Sequence, residues 1–134
     1  MKPADLDLVK HRLRRAQETL GEAKSLFDSG YIFGVVNRAY YACFYAVIAL
    51  LLTEGLTSSK HTGVQSLFGE HWIKAGRLPP ELGRFYNRLS ERRQAGDYQD
   101  IPAFDRADAE TWLGEAEGFI DKITDWLRQN AGVE

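Results

Sequence analysis

Arginines cluster in the second half of this 134-residue sequence. Arg84, Arg88 and Arg92 recur every four residues, which places them on one edge of any helix formed there. Arg93 comes next, and Asp97 and Tyr98 close the stretch "RRQAGDY". Guanidiniums on a common edge repel one another unless an anion sits among them. Their forked donors suit phosphate, so the stripe is a candidate nucleotide or RNA-backbone site. The same stripe also suits salt bridging to the acidic C-terminal segment. Lys74 to Arg93 holds six basic and two acidic residues, whereas Gln94 to the end holds three basic and ten acidic. Such charge runs are commonly the solvated faces of neighbouring helices.

A second group lies in "NRAYYACFYAV", residues 37–47, inside the most apolar run of the chain. Asn37, Tyr41 and Tyr45 share one helical edge, and Arg38 leads to Tyr45 seven residues on. Buried polar groups must be hydrogen-bonded or open onto a cleft. Two compatible readings arise: a hydrogen-bonded seam that sets helix register, or one wall of a cleft whose other wall is Arg88, Arg92 and Arg93. Lys60 and His61 would add positive charge at its rim.

Other chemistries find little support. His11, His61 and His71 form neither a Glu-x-x-His nor a His-x-x-x-His pattern, so no metal site is expected. There is no Walker loop and no Gly-x-Gly-x-x-Gly, and no cofactor is implied. The single cysteine, Cys43, has no pairing partner and no neighbouring base, which fits a reducing compartment and a small buried residue. "MKPADLDLVK" lacks an apolar signal segment. Tyr31 to Thr53 is long enough to suggest a membrane span, but Arg38 falls inside it, and a charge at a bilayer centre is costly. A cytoplasmic protein with no membrane contact is expected. The net charge of −2 provides no global positive field.

The elements that must position these residues are all helical. Leu6, Val9, Leu13, Ala16, Leu20, Ala23 and Phe27 line one face of a helix over residues 4–28, stopped at Gly30. A second helix runs over residues 31–53. Ser58 or Ser59 caps a third, which carries Val64, Leu67, Phe68, His71 and Trp72. Pro79 and Pro80 open a fourth with a Leu78, Leu82, Phe85, Leu89 stripe. "QAGDYQDIPAF" reads as a loop. Asp105 caps a fifth helix whose inner face is Ala109, Trp112, Ala116, Phe119, Ile123 and Trp126 or Leu127. The expectation is one domain over residues 1–134: an all-α, antiparallel up-and-down bundle of about five helices, with the apolar second helix at its centre.

Three blocks in order, "NRAYYACFYAVIALLLTEG", "SSKHTGVQSLFGEHWIKAGRLP" and "ERRQAGDY", resemble the HEPN domain, the higher eukaryotes and prokaryotes nucleotide-binding family. The likeness runs from Leu8 to Leu127 and is nearest to the small prokaryotic single-domain branch. It implies a helical bundle, a homodimer, and partnership with a minimal nucleotidyltransferase in a toxin–antitoxin pair. Many such proteins are metal-independent ribonucleases that use an arginine, four to six intervening residues, then a histidine. Here Arg93 is followed after four residues by Tyr98, so a phenol stands in for the imidazole. With an ordinary pKa near 10, a phenol is a poor general base at pH 7. The resemblance leaves Arg93 as a phosphate binder with Asp97 to orient it. Tyr98 loosely resembles a tyrosine that receives nucleotides from the partner enzyme. Three functions are therefore expected in turn: nucleotide or RNA-phosphate binding; cleavage by Arg93 with a non-standard partner; or a non-catalytic interaction module docked through the arginines.

Overall fold

A computed structural model describes residues 2–98 and 104–133, save the side chains of Pro3, Ala4 and Tyr98. The chain folds as α1 (Pro3–Asp28), α2 (Ile32–Thr53), α3 (His61–Phe68) with a π-helical turn (Gly69–Ile73), α4 (Pro80–Tyr98) and α5 (Arg106–Asn130). No strand occurs among the described residues, and the all-α expectation holds.

Helix α2 is the axis of the molecule and packs against α1, α3, α4 and α5. Its length and apolarity would allow it to cross a bilayer, but Val35, Val36, Ala39, Tyr40, Cys43, Val47, Leu50 and Leu51 are all buried in the bundle. It is the core helix of a folded domain. The predicted inner stripes are borne out for α1 and α5, apart from Leu6, Phe27 and Trp126, which are only partly covered. On α4 the predicted leucine–phenylalanine stripe is joined by Tyr86 and Ser90, which the spacing alone did not pick out. Aromatic rings fill the centre: Tyr86 stacks on Tyr40 and on Phe119, and Phe68 meets both Tyr86 and Phe119 edge-on.

Local chemistry explains most element ends. Gly30 and Gly55 both adopt positive φ, +85° and +68°, a conformation that costs a glycine nothing. Each closes its helix by a backbone bond spanning five residues, Tyr31 N–H to Leu26 C=O and Leu56 N–H to Leu51 C=O. Asp105 caps α5 as expected, accepting from Asp108 N–H at 3.0 Å while Asp108 accepts from Asp105 N–H at 3.1 Å. Two expectations are corrected. The third helix begins at His61, capped by Lys60, with Ser58 three residues before it, folded into a turn in which its hydroxyl accepts from Lys60 N–H at 3.2 Å. The stretch expected as a loop from Gln94 is helical through Tyr98. The Gly, Asp and Pro content of that stretch suggests a loop, but a single glycine, Gly96, does not end a helix carrying the Arg93–Asp97 pair, four residues apart, at 3.0 Å. Residues 99–103, the middle of that expected loop, lie outside the described residues.

The Ser58 turn fixes where α3 starts, and Gly63 makes room for it. A Cβ at Gly63 would fall 2.1 Å from Ser58 Oγ and 2.9 Å from Ser58 Cβ, and no rotamer change removes the second clash. Gly63→Ala should therefore destabilise the fold by about 1–3 kcal/mol. Ser58→Gly in the same chain should recover part of that loss, as read from thermal melting of the wild type, the single variant and the double variant.

Candidate functional site

Tyr40 lies on the inner face of α2 and is 1% exposed. A phenol so deep must find a hydrogen-bond partner, and it reaches His61 Nδ1 at 2.8 Å. His61 is the first residue of α3, so the Ser58–Lys60 turn places its ring directly over α2. Phe44, one turn beyond Tyr40, stacks on that ring at 4.5 Å between centroids and 12° between planes. Tyr40 stacks on it at 5.7 Å, and Tyr41 meets it edge-on at 5.6 Å. The imidazole is thus held by one hydrogen bond and three rings.

Arg93 completes the group from α4. Its guanidinium carbon lies 4.8 Å from the centre of the Tyr40 ring and 5.8 Å from that of Tyr41. The side chain is only 13% exposed and donates to Asp97 at 3.0 Å. Its Nε is buried with no hydrogen-bond partner among the described residues. An unsatisfied buried N–H costs about 1–3 kcal/mol, so this fork is held in place yet retains donor capacity. Burial, and then the nearby Arg93 charge, lower the His61 pKa below its ordinary 6.5, and the ring is neutral at pH 7. Burial raises Tyr40 and Tyr86, so both phenols stay protonated. Burial also raises the Cys43 thiol, and its complete enclosure removes it from any reaction here.

The sequence-predicted residues separate into three places. Arg93, Asp97 and His61 come together on the α2–α3–α4 side. Arg88 and Arg92 turn instead to α5, where Arg88 approaches Glu115 at 4.0 Å and Arg92 lies 4.3 Å above the Trp112 ring. Arg84 pairs with Glu81 on its own helix at 3.2 Å. The expected wall of Arg88, Arg92 and Arg93 is therefore split, because residues 92 and 93 are adjacent and point about 100° apart on a helix. Asn37 and Arg38 sit at the α1 edge of α2. Arg38 donates twice to Asn37 Oδ1, at 3.1 and 2.8 Å, lies over Tyr41 at 5.2 Å and reaches Glu22 at 3.8 Å. Tyr45 accepts from Arg15 at 3.4 Å. The Glu22 and Arg15 contacts tie α2 to α1, the hydrogen-bonded seam being one of the two readings the spacing offered. Lys60 is exposed at the start of α3. Tyr98 ends α4, and its side chain lies outside the described residues.

Tyr40 was the residue that motif spacing missed, although its position was available. It falls on the stripe of Val36, Cys43 and Val47, which marks it as core. Its link to His61, twenty-one residues away, carries no local signature. Among the described residues, no group of three or more His, Cys, Asp or Glu side chains could hold a metal ion. What the arrangement offers is a shielded guanidinium and an uncharged imidazole, both packed against the Tyr40 and Tyr41 rings.

Comparison with known proteins gives the group a context. A family model for the HEPN domain matches residues 9–126. A Thermotoga maritima protein named UPF0332 is 44% identical over 116 residues, covering 87% of this chain and 88% of the relative. Two Methanocaldococcus jannaschii proteins, each named "Putative toxin", are 37% and 32% identical, covering 85% and 86% of this chain and 84% and 78% of the relatives.

The lowered His61 pKa has a consequence for stability. Below pH 6.5 the unfolded chain takes up a proton that folded His61 resists. The protein should therefore lose stability as pH falls from 6.5 toward the folded-state pKa, and this contribution should be constant above that range. Urea midpoints at pH 7.5 and 5.5 test it: the drop should be smaller in His61→Gln than in the wild type.

Proposed function

The chain belongs to the HEPN domain family, and from that premise we propose that it is a toxin–antitoxin-type protein that binds the phosphate of RNA or a nucleotide at Arg93 and His61. It acts in the cytoplasm as a homodimer alongside a minimal nucleotidyltransferase. The observation that carries this reading is Arg93: shielded, oriented by Asp97, with its Nε lacking a hydrogen-bond partner among the described residues and its charge acting on His61. The names of the two archaeal relatives support the toxin-type assignment. The partly covered Tyr41, Phe44, Tyr45, Ile48 and Leu52 along α2 support pairing of two copies. A second reading, metal-independent RNA cleavage, draws on the neutral imidazole beside a guanidinium, the pairing of residue types the motif spacing lacked.

Binding of a short single-stranded RNA, followed across salt concentrations, tests the phosphate site. Arg93→Ala should weaken affinity about tenfold or more, since a hydrogen bond to a charged group contributes roughly 1.5–3 kcal/mol. It should also flatten the salt dependence. Arg88→Ala/Arg92→Ala should leave affinity nearly unchanged and lower the melting temperature slightly, because exposed pairs contribute about 0–1 kcal/mol. Unchanged binding by Arg93→Ala would remove the site. Sedimentation at tens of micromolar should give about 30 kDa, two 15.2 kDa chains; a monomer would refute the pairing.

A further inference from the structure

The two ring nitrogens of a histidine are chemically different, and the partner of one decides what the other presents. His61 Nδ1 faces inward to the Tyr40 hydroxyl at 2.8 Å. Either the phenol donates to Nδ1, or Nδ1–H donates to the phenol oxygen. In the second case the phenol's own proton needs another acceptor in a place that is 1% exposed. No hydrogen bond of normal geometry supplies one among the described residues. The Tyr86 hydroxyl, on the ring stacked beside it, is itself buried without a hydrogen-bond partner among the described residues, so it does not take that proton. An orphaned buried donor is costly, so the balance favours the phenol as donor.

We infer that Tyr40 is a positioning residue that locks neutral His61 in the form with its proton on Nε2, so that the ring offers its ligand a hydrogen-bond donor and no basic lone pair. Resting on the phosphate-site reading above, this makes Arg93 and His61 a pair of donors, one charged and one neutral, for the non-bridging oxygens of a phosphodiester. It also distinguishes between the two readings of that site. A general base needs a free lone pair at the edge facing the substrate, and here the lone pair is turned inward and occupied. The geometry suits holding RNA over cutting it.

The direct test is a long-range proton–nitrogen correlation spectrum of the full-length nitrogen-15-labelled chain at pH 7.5, where His61 is neutral. The expected result is a protonated Nε2 and an Nδ1 that accepts a hydrogen bond. Tyr40→Phe should release the lock and give a mixture of the two forms. A wild-type spectrum showing the proton on Nδ1 overturns the inference, and needs no variant to fold. A functional arm uses a short single-stranded RNA as the probe, in the presence of EDTA. His61→Ala should bind about tenfold more weakly. His61→Gln, whose amide donates but takes up no proton, should stay within about threefold of the wild type. RNA cleavage by the wild type that His61→Gln abolishes would show a working base and overturn the donor assignment. A protonated Nε2 together with unchanged RNA binding by both Arg93→Ala and His61→Ala would instead overturn the phosphate site and leave the tautomer standing.

Discussion

A phenol at the centre of an apolar helix must be hydrogen-bonded, and this molecule meets that requirement with one contact, Tyr40 to His61 at 2.8 Å. Much else depends on it. The third helix has to begin where its first side chain can reach α2, so the preceding turn is tied by Ser58 and accommodated by Gly63. Phe44 has to lie flat against the imidazole, and Arg93 then finds an aromatic surface on which a guanidinium can rest while mostly out of water. Each member satisfies a neighbour's demand, and the cost of losing the hydrogen bond would be that of a buried polar group left alone, about 1–3 kcal/mol.

Electrostatics sorts the arginines by burial. Arg88 and Arg92 turn to acidic or aromatic neighbours on α5 and Arg84 to Glu81 on its own helix, nearer water, where charge interactions are screened and weak. Arg93 sits in a lower-dielectric setting with one carboxylate, so its field acts more strongly on what lies beside it. That field, added to burial, keeps His61 uncharged. A second cation there would be repelled by the first, so an incoming anion meets one full charge and a set of dipoles.

The fold was legible in the sequence because helical periodicity is a local signal: the stripes of α1, α4 and α5, the Gly30 stop and the Asp105 cap all appear within a few residues of the features they determine. The site was legible only in part. Arg93 with Asp97 is an i,i+4 relation and could be read directly. His61 could be named as a rim residue, but its meeting with Arg93 depends on how α3 and α4 lie across α2, a tertiary fact that spacing does not encode. The arginine stripe misled for the complementary reason. Regular spacing reports a common edge and says nothing of which neighbour that edge faces. The π-helical turn at Gly69–Ile73 also has no simple sequence signal here.

That turn has a consequence for where this chain could change in length. Lys74 N–H bonds Gly69 C=O at 2.8 Å, so five residues separate the bonded pair where an α-helix has four. The turn therefore holds one residue more than an uninterrupted helix needs. It comes after the part of α3 that sets His61 and Val64, and before the Leu78 and Leu82 contacts of the next helix. A change of length there falls beyond the turn that sets the imidazole, in a segment whose Trp72 is seated against Trp126. Without that extra residue the segment could close as ordinary α-helix, leaving the ring over Tyr40 where the Ser58 turn sets it.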